Sequence, residues 1–239
     1  MPLGQPQLIK AIYAALEKEP SVNLGRSRIH ITIDHHVVLH GKVPNIVAKR
    51  VAARLARQVT LDMEVEDRLR VDTEALGDAA LRDKAGDALS YEPAIANHSI
   101  LVESNGHQLT LRNSRTSANF VHAQVKDGVI TLRGRVDSIS HRWLIEAILW
   151  WIPGCQRIDN LLGVHSSLDG DLDNSLTDTV RMMLEKDPLL NADQLHVGSA
   201  AGIVELDGWL PSQEQHKMAL FDTWAIPGVE DVRDRIVVE

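Results

Sequence analysis

The sequence predicts an α+β protein of three tandem small modules, each with the order helix, strand, strand, helix, strand. Three observations lead to this prediction: a repeated "IPG" segment, a glycine that recurs within an alternating strand pattern, and a proline that closes an amphipathic run in each copy. A three-stranded mixed sheet covered by two helices is the compact way to bury the apolar faces of such a module. The middle module is predicted to carry an extra hairpin.

The repeat is clearest between the second and third copies. "IPGCQRIDNLLGV" is matched by "IPGVEDVRDRIVV", and "VITLRGRV" is matched by "IVELDGWL". In both copies the strand glycine, Gly134 or Gly208, precedes the glycine of the IPG segment by 20 residues. In the first copy "VVLHGKV" places Gly41 in the same role, and Leu61 stands where the second glycine is expected. We interpret the recurring strand glycines as backbone geometry at a strand end or bulge.

The module boundaries follow from the repeat. We expect modules at residues 5–72, 73–166 and 172–239. The middle module is longer because "SILVESNGHQLTLRN" forms two alternating runs around Asn105-Gly106, a strong hairpin signal. This extra hairpin is placed at about residues 94–118, and it is either an insertion or the trace of a fusion between two incomplete modules.

Composition and charge limit the classes of function. With 44% hydrophobic and 24% charged residues the chain is typical of globular proteins, and its single cysteine, Cys155, excludes an internal disulfide framework. The N-terminus lacks the pattern of a signal peptide, so we expect a cytoplasmic protein, peripheral to a membrane where it binds one. The net charge of −8 argues against a nucleic-acid binder. Residues 1–72 nevertheless hold 11 Lys+Arg against 8 Asp+Glu.

The glycine-punctuated strand pair, followed by a helix and a Pro-Gly step, resembles the BON domain family, bacterial modules named for osmotic-shock and nodulation proteins. In the middle copy the resembling residues are Val125 to Val136 with Gly128 and Gly134, then Pro153, Gly154, Ile158, Asn160, Leu162 and Val164. In the last copy they are Gly202, Gly208, Pro227, Gly228, Val229 and Val232. The first copy lacks the Pro-Gly step. The resemblance implies an αββαβ fold and a non-catalytic role in binding phospholipid or an envelope-associated assembly, in osmotic or envelope stress.

The second helix of each module carries an unusual stripe. In "WLIEAILWWIPG" we expect the isoleucines and Leu149 to cover the sheet, with Trp143 and Trp150 on the opposite face. The equivalent positions carry arginines in the first module and a lysine with two aromatic residues in the third. The predicted lipid- or partner-binding residues are Arg50, Arg54, Arg57, Trp143, Trp150, Trp151, Lys217, Phe221 and Trp224.

Two interpretations of this stripe remain open. Tryptophan and phenylalanine with nearby basic residues are typical of a peripheral membrane surface. Alternatively, a neighbouring module, or a second copy of the chain in a homo-oligomer, buries the aromatic side chains in a protein–protein interface. The partner is accordingly a phospholipid surface or a protein.

Other residue clusters in the sequence indicate neither a metal site nor a catalytic site. Asp34, His35 and His36 belong to the densest histidine cluster, but we expect them to form a hairpin turn rather than a metal site. "DGDLDNSLTD" lacks the ligands of a calcium loop, and we interpret Asp173 or its two followers as a helix cap. Motifs for phosphate binding, a nucleophile elbow or a zinc protease are absent, so the sequence predicts no enzyme, no cofactor and no metal.

Overall fold

The predicted α+β architecture is confirmed in the computed structural model, which describes residues 4–61, 63–115, 117–164 and 172–238. Its six helices and eleven strands in these ranges form three mixed sheets. The helices are α1 (Gln5–Glu17), α2 (Ile46–Thr60), α3 (Asp78–Ser90), α4 (Ile139–Trp150), α5 (Leu172–Lys186) and α6 (Gln213–Ala225). The strands are β1 (Arg28–Ile33), β2 (Val37–Val43), β3 (Val65–Val71), β4 (Ser99–Ser104), β5 (His107–Arg112), β6 (Phe120–Lys126), β7 (Val129–Val136), β8 (Arg157–Val164), β9 (Leu195–Ala200), β10 (Ile203–Leu210) and β11 (Asp231–Val238).

The first module is a compact unit of its own, residues 1–73. Its sheet has the order β1-β2-β3, with β1 antiparallel and β3 parallel to the central strand. Helices α1 and α2 pack against each other and contribute Ile12, Leu16 and Val51 to the core. The three residues from Asp34 to His36 form the turn between β1 and β2, as predicted.

The second compact unit, residues 74–239, contains the other two modules. The middle module has a five-stranded sheet of order β5-β4-β6-β7-β8, and the last module has a three-stranded sheet of order β11-β10-β9. The extra hairpin is confirmed as β4 and β5, with Asn105 and Gly106 both at positive φ in its turn. Because β4 pairs in parallel with β6, the hairpin widens the middle sheet rather than forming a separate body.

The recurring strand glycines share one geometric cause. Gly41, Gly134 and Gly208 have φ of 116°, 135° and 138°. A Cβ at any of the three would lie 1.7 to 2.0 Å from a backbone carbonyl oxygen at the start of the neighbouring strand. Only glycine tolerates both the backbone angle and the close approach. The repeat in the sequence therefore marks one position in every module where a neighbouring strand approaches too closely for a side chain.

The glycines of the IPG segments, in contrast, serve two different purposes. Gly154, four residues beyond the end of α4, has a φ of 87°, and the equivalent Leu61, which caps α2, adopts a φ of 49° without being a glycine. Gly228 has no positive φ, but a Cβ there would come within 2.7 Å of the indole of Trp143. The same sequence motif thus meets a backbone requirement in one module and a packing requirement in another.

A carboxylate at the start of a helix supports the hairpin turn in the last two modules. Asp78 accepts hydrogen bonds from two backbone N–H groups of the β6–β7 turn at 2.9 and 3.0 Å. Asp173 does the same for the β9–β10 turn, at 2.9 and 3.2 Å. The prediction that Asp173, Asn174 or Ser175 caps its helix was wrong, because α5 already begins at Leu172. Residues 169–171 of that acidic segment lie outside the described ranges.

Candidate binding groove

Helix α4 lies between its own sheet and the helices of the last module. It packs on β7 and β8 and also on α5 and α6. Its start is fixed by Ser138, whose hydroxyl accepts a hydrogen bond from the backbone N–H of His141 at 3.2 Å. Every residue from Leu144 to Trp150 is buried, including Glu146, the only charged residue in this stretch. An apolar helix surface is stable here because both faces are covered by protein.

The aromatic side chains of α4 face the last module. The indole of Trp143 lies against the backbone of Gly228, and Trp150 is only 6% exposed. Trp151 donates a hydrogen bond from Nε1 to Oδ1 of Asp222 on α6, at 2.6 Å. On α6 itself, Trp224 is 5% exposed. The last module therefore covers these aromatic side chains. This arrangement corresponds to one of the two interpretations of the stripe, burial by a neighbouring module.

Asp222 is an acidic residue in this apolar environment. Its exposed fraction is 1%, and burial raises the pKa of its carboxyl to about 7. The hydrogen bond from Trp151 opposes this shift, whereas the neighbouring carboxylate of Asp187 adds to it. The carboxyl group consequently titrates near neutral pH rather than in the usual acidic range of an aspartate.

A groove of about 570 Å³ opens between α4 and α6. Aromatic and other apolar side chains form most of its wall, with an exposed lysine and several acidic groups at its border. The lining residues are Trp150, Trp151, Asp187, Pro188, Glu214, Lys217, Met218, Phe221 and Asp222. A volume between about 300 and 1,000 Å³ with apolar walls and a few polar groups is typical of ligand pockets.

A second cavity of about 510 Å³ lies beside α3. Trp151 lines both cavities, and Ile148 and Ile152 line this second one. Its polar border contains an ion pair between Lys186 Nζ and the buried Glu92 Oε1 at 3.2 Å. The indole of Trp151 therefore stands between two apolar depressions of the same unit.

The three arginines predicted as contacts in the first module lie on α2. Arg50 and Arg54 are half-buried, and a terminal nitrogen of Arg54 lies 4.0 Å from Glu19 Oε2. Arg57, in the last turn of the helix, is exposed. Lys49 is buried on the same helix and pairs with Asp67 at 2.8 Å. On this helix, Arg57 thus lies at the surface of the module and Lys49 lies inside it.

A family model for the BON domain matches residues 5–73, 108–165 and 172–239. The chain belongs to the BON domain family. The family match in the middle BON module begins within β5, so α3 and β4 lie before it. BON domains are generally associated with binding to membranes and the cell envelope, and the family is typically non-catalytic.

Comparison with other proteins adds little to the family match. No curated protein sequence matches the chain. Two solved structures similar to it are of CdsD, a structural protein of the type III secretion system of Chlamydia trachomatis. One, its C-terminal domain, is 13% identical with a TM-score of 0.26, covering 99% of this chain and 100% of that chain. The other is 14% identical with a TM-score of 0.25, covering 98% and 92%. Over the described residues, no helix combines the length and apolarity needed to cross a bilayer.

The fold brings together four of the residues that the sequence singled out. Trp150 and Trp151 of the middle BON module, and Lys217 and Phe221 of the last, line one groove. Sequence reasoning missed Asp222, although an acidic residue between Phe221 and Trp224 on an apolar helix stripe is a usable signal. Sequence reasoning also missed a group of three potential metal ligands at one edge of the middle sheet. These three residues are not among those that line the groove.

Proposed function

We propose that this chain is a non-catalytic array of BON modules that attaches to a phospholipid membrane surface in the response to osmotic or envelope stress. The observation that carries the proposal is the groove between α4 and α6, whose apolar wall has a cationic side chain at its border. Such a groove accepts an apolar group from the membrane, and Lys217 offers a donor to a lipid phosphate.

The chemistry of the groove fits the boundary between headgroups and acyl chains. Trp151 and Phe221 supply flat apolar surface, and Lys217 has a long aliphatic stem that reaches a polar layer. Glu214 and Asp187 limit the attraction of anionic lipid to this site. Near neutral pH, partial protonation of the Asp222 carboxyl lowers the negative charge of the groove and so weakens its repulsion of anionic lipid.

A second contact comes from the basic first module. Its residues 1–72 carry a net charge of +3, whereas residues 73–239 carry −11. Arg57 is exposed on α2, with Arg54 one turn and Arg50 two turns before it. Each basic residue close to an anionic membrane contributes about 1 kcal/mol of attraction. Together, the arginines provide electrostatic binding and the groove provides apolar insertion.

Three of the predicted contact residues support the groove in this proposal and do not contact lipid: Trp143, Trp150 and Trp224. The latter two are almost fully buried, and Trp143 covers Gly228. They shape and support the groove, while Trp151, Lys217 and Phe221 make the contact with lipid.

Vesicle co-sedimentation tests the proposal. Wild-type protein is expected to sediment with phosphatidylglycerol-containing vesicles at low salt, less so at high salt, and little with pure phosphatidylcholine. Phe221→Glu and Arg57→Glu should each reduce the bound fraction, and Arg57→Glu should also flatten the salt dependence. Leu161→Glu is the matched control, since Leu161 is an exposed apolar residue on β8 outside the groove. Failure of the wild type to sediment at low salt would refute membrane binding, and equal binding of all variants would refute the assigned contacts.

A protein–protein scaffold is a second candidate. It is favoured by the contact that α4 and α6 already make within the chain, which indicates that second helices of these modules pair through apolar faces. Under this hypothesis the groove receives a second copy of the chain. Light scattering should then give a mass above 26.5 kDa that falls to the monomer in Phe221→Glu. A monomeric wild type at high concentration would contradict self-association.

A further inference from the structure

Three polar side chains meet at one edge of the five-stranded sheet. His98 directly precedes β4, Asp137 directly follows β7, and His141 lies in the first turn of α4. The strand directions explain the meeting. Strands β4 and β6 are parallel, and β7 is antiparallel to β6, so the starts of the first two and the end of the third lie at the same edge.

His98 is buried without a hydrogen-bond partner. Its exposed fraction is 1%, and neither ring nitrogen has a partner among the described residues. Oδ2 of Asp137 is 3.6 Å from Nε2, which is too long for a hydrogen bond. Buried polar atoms in folded proteins are almost always paired with protein, water or an ion. The imidazole therefore faces Asp137, and neither of its nitrogens has a hydrogen-bond partner among the described residues.

The other two side chains complete a set of metal ligands. His141 Nδ1 lies 3.9 Å from the same Oδ2 of Asp137, and the two imidazole centroids are 5.8 Å apart. One ligand atom from each of the three residues lies within 4.8 Å of the others. Ligand atoms of a tetrahedral zinc site are about 3.3 Å apart, given metal–ligand distances near 2.0 to 2.1 Å. The two separations from Asp137 Oδ2, 3.6 and 3.9 Å, are slightly longer than this spacing.

Neighbouring groups orient the carboxylate. The side-chain amide of Asn119 donates a hydrogen bond to Oδ1 of Asp137, which leaves Oδ2 directed at both histidines. Hydrogen bonds of this kind to the ligands are a usual part of metal sites. Asp137 is partly exposed, so an ion has a path from solvent.

The charges around the site allow a cation. Burial lowers the pKa of the His98 imidazole, while the carboxylate of Asp137 opposes that shift. Arg112 is the nearby opposing cation, but its guanidinium donates to the carbonyl oxygens of Ala96 and Leu89 at 2.7 and 3.2 Å. The arginine is thereby held by backbone acceptors.

We propose that His98, Asp137 and His141 bind a divalent transition-metal ion of the zinc class. Two imidazoles and one carboxylate favour Zn²⁺ and Co²⁺ over Mg²⁺ and Ca²⁺, which prefer oxygen ligands. Three protein ligands leave a coordination position for water. The ion satisfies the buried imidazole and ties β4, β7 and α4 together at the sheet edge.

Metal titration of the full chain tests this proposal. After chelator treatment and dialysis, calorimetry with ZnCl₂ should give one tight site, and CoCl₂ should give visible ligand-field absorption of a site with nitrogen ligands. His141→Ala and Asp137→Asn should each weaken Zn²⁺ binding at least tenfold and abolish the Co²⁺ signal. Both residues are partly exposed, so these variants are expected to fold, as circular dichroism would verify.

His216→Ala is the matched control, because His216 also pairs with an aspartate, Asp234, at 2.6 Å, but no third potential ligand lies beside it among the described residues. It should bind both metals as the wild type does. The proposal is overturned if the wild type shows only weak binding that His216→Ala diminishes equally, or if His141→Ala and Asp137→Asn retain the tight site.

Discussion

The buried carboxyl of Asp222 makes a quantitative prediction about pH and stability. In the unfolded chain this group has an ordinary aspartate pKa, and in the folded protein burial raises the pKa from 3.8 to about 7. Between these two values the folded state binds one more proton than the unfolded state. The contribution of Asp222 to stability is therefore full below about pH 4, is lost as pH rises toward about 7, and is constant above that.

The size of the effect follows from the shift. A difference of about three pKa units corresponds to about 4 kcal/mol of unfolding free energy. Asp222→Asn removes the ionisation and keeps a side-chain oxygen that accepts the hydrogen bond from Trp151. Relative to the wild type, the variant should gain about 4 kcal/mol in unfolding free energy from about pH 4 to about pH 8.

Urea unfolding followed by tryptophan fluorescence measures this difference. All five tryptophans lie in residues 74–239, so the signal reports the unit that contains Asp222. Asp207→Asn, at an exposed position on β10, is a control for the general effect of losing a carboxylate. Parallel stability curves for Asp222→Asn and the wild type across this pH range would refute the buried ionisation.

Three further substitutions test local features. Lys49→Met should destabilise the first unit by about 3 kcal/mol, because Asp67 loses its buried partner. Urea unfolding followed by far-UV circular dichroism measures this change. An unchanged unfolding free energy would show that the ion pair is solvated. Leu61→Gly should stabilise the same unit by about 0.5 kcal/mol, because glycine relieves the backbone at a φ of 49° and the leucine is 84% exposed. A clear loss of stability would contradict that strain. Gly228→Ala should cost about 1–3 kcal/mol in fluorescence-detected unfolding by displacing Trp143, and a neutral effect would remove this contact.

The order of helices and strands in each module could be predicted from the repeat. Alternation and turn residues are local signals, so the Asn105-Gly106 hairpin and the special backbone position at Gly134 could be inferred from short stretches of sequence. The pairing of β4 with β6 could not be predicted in this way, because a hairpin insertion can join the sheet or stand apart from it. That choice depends on contacts between residues distant in the chain.

The candidate site depends on such distant contacts even more strongly. The wheel of α4 predicts an apolar outer face, but nothing local specifies that α5 and α6 cover it. Trp151 and Asp222 are 71 residues apart, and only the docking of two modules brings them to 2.6 Å. His98 is likewise joined to Asp137 and His141 by strand order rather than by spacing. The sequence therefore indicates which side chains are unusual, and tertiary packing decides which of them meet.

The docking of the middle BON module on the last one is tested most directly by a double-mutant cycle between Trp151 and Asp222. The unfolding free energies of Trp151→Phe, Asp222→Ala and the double variant are measured at neutral pH by fluorescence in urea. The hydrogen bond across the two modules predicts a coupling free energy of about 1–3 kcal/mol. A coupling below about 0.3 kcal/mol, with the two effects simply adding, would contradict the contact and the groove built on it.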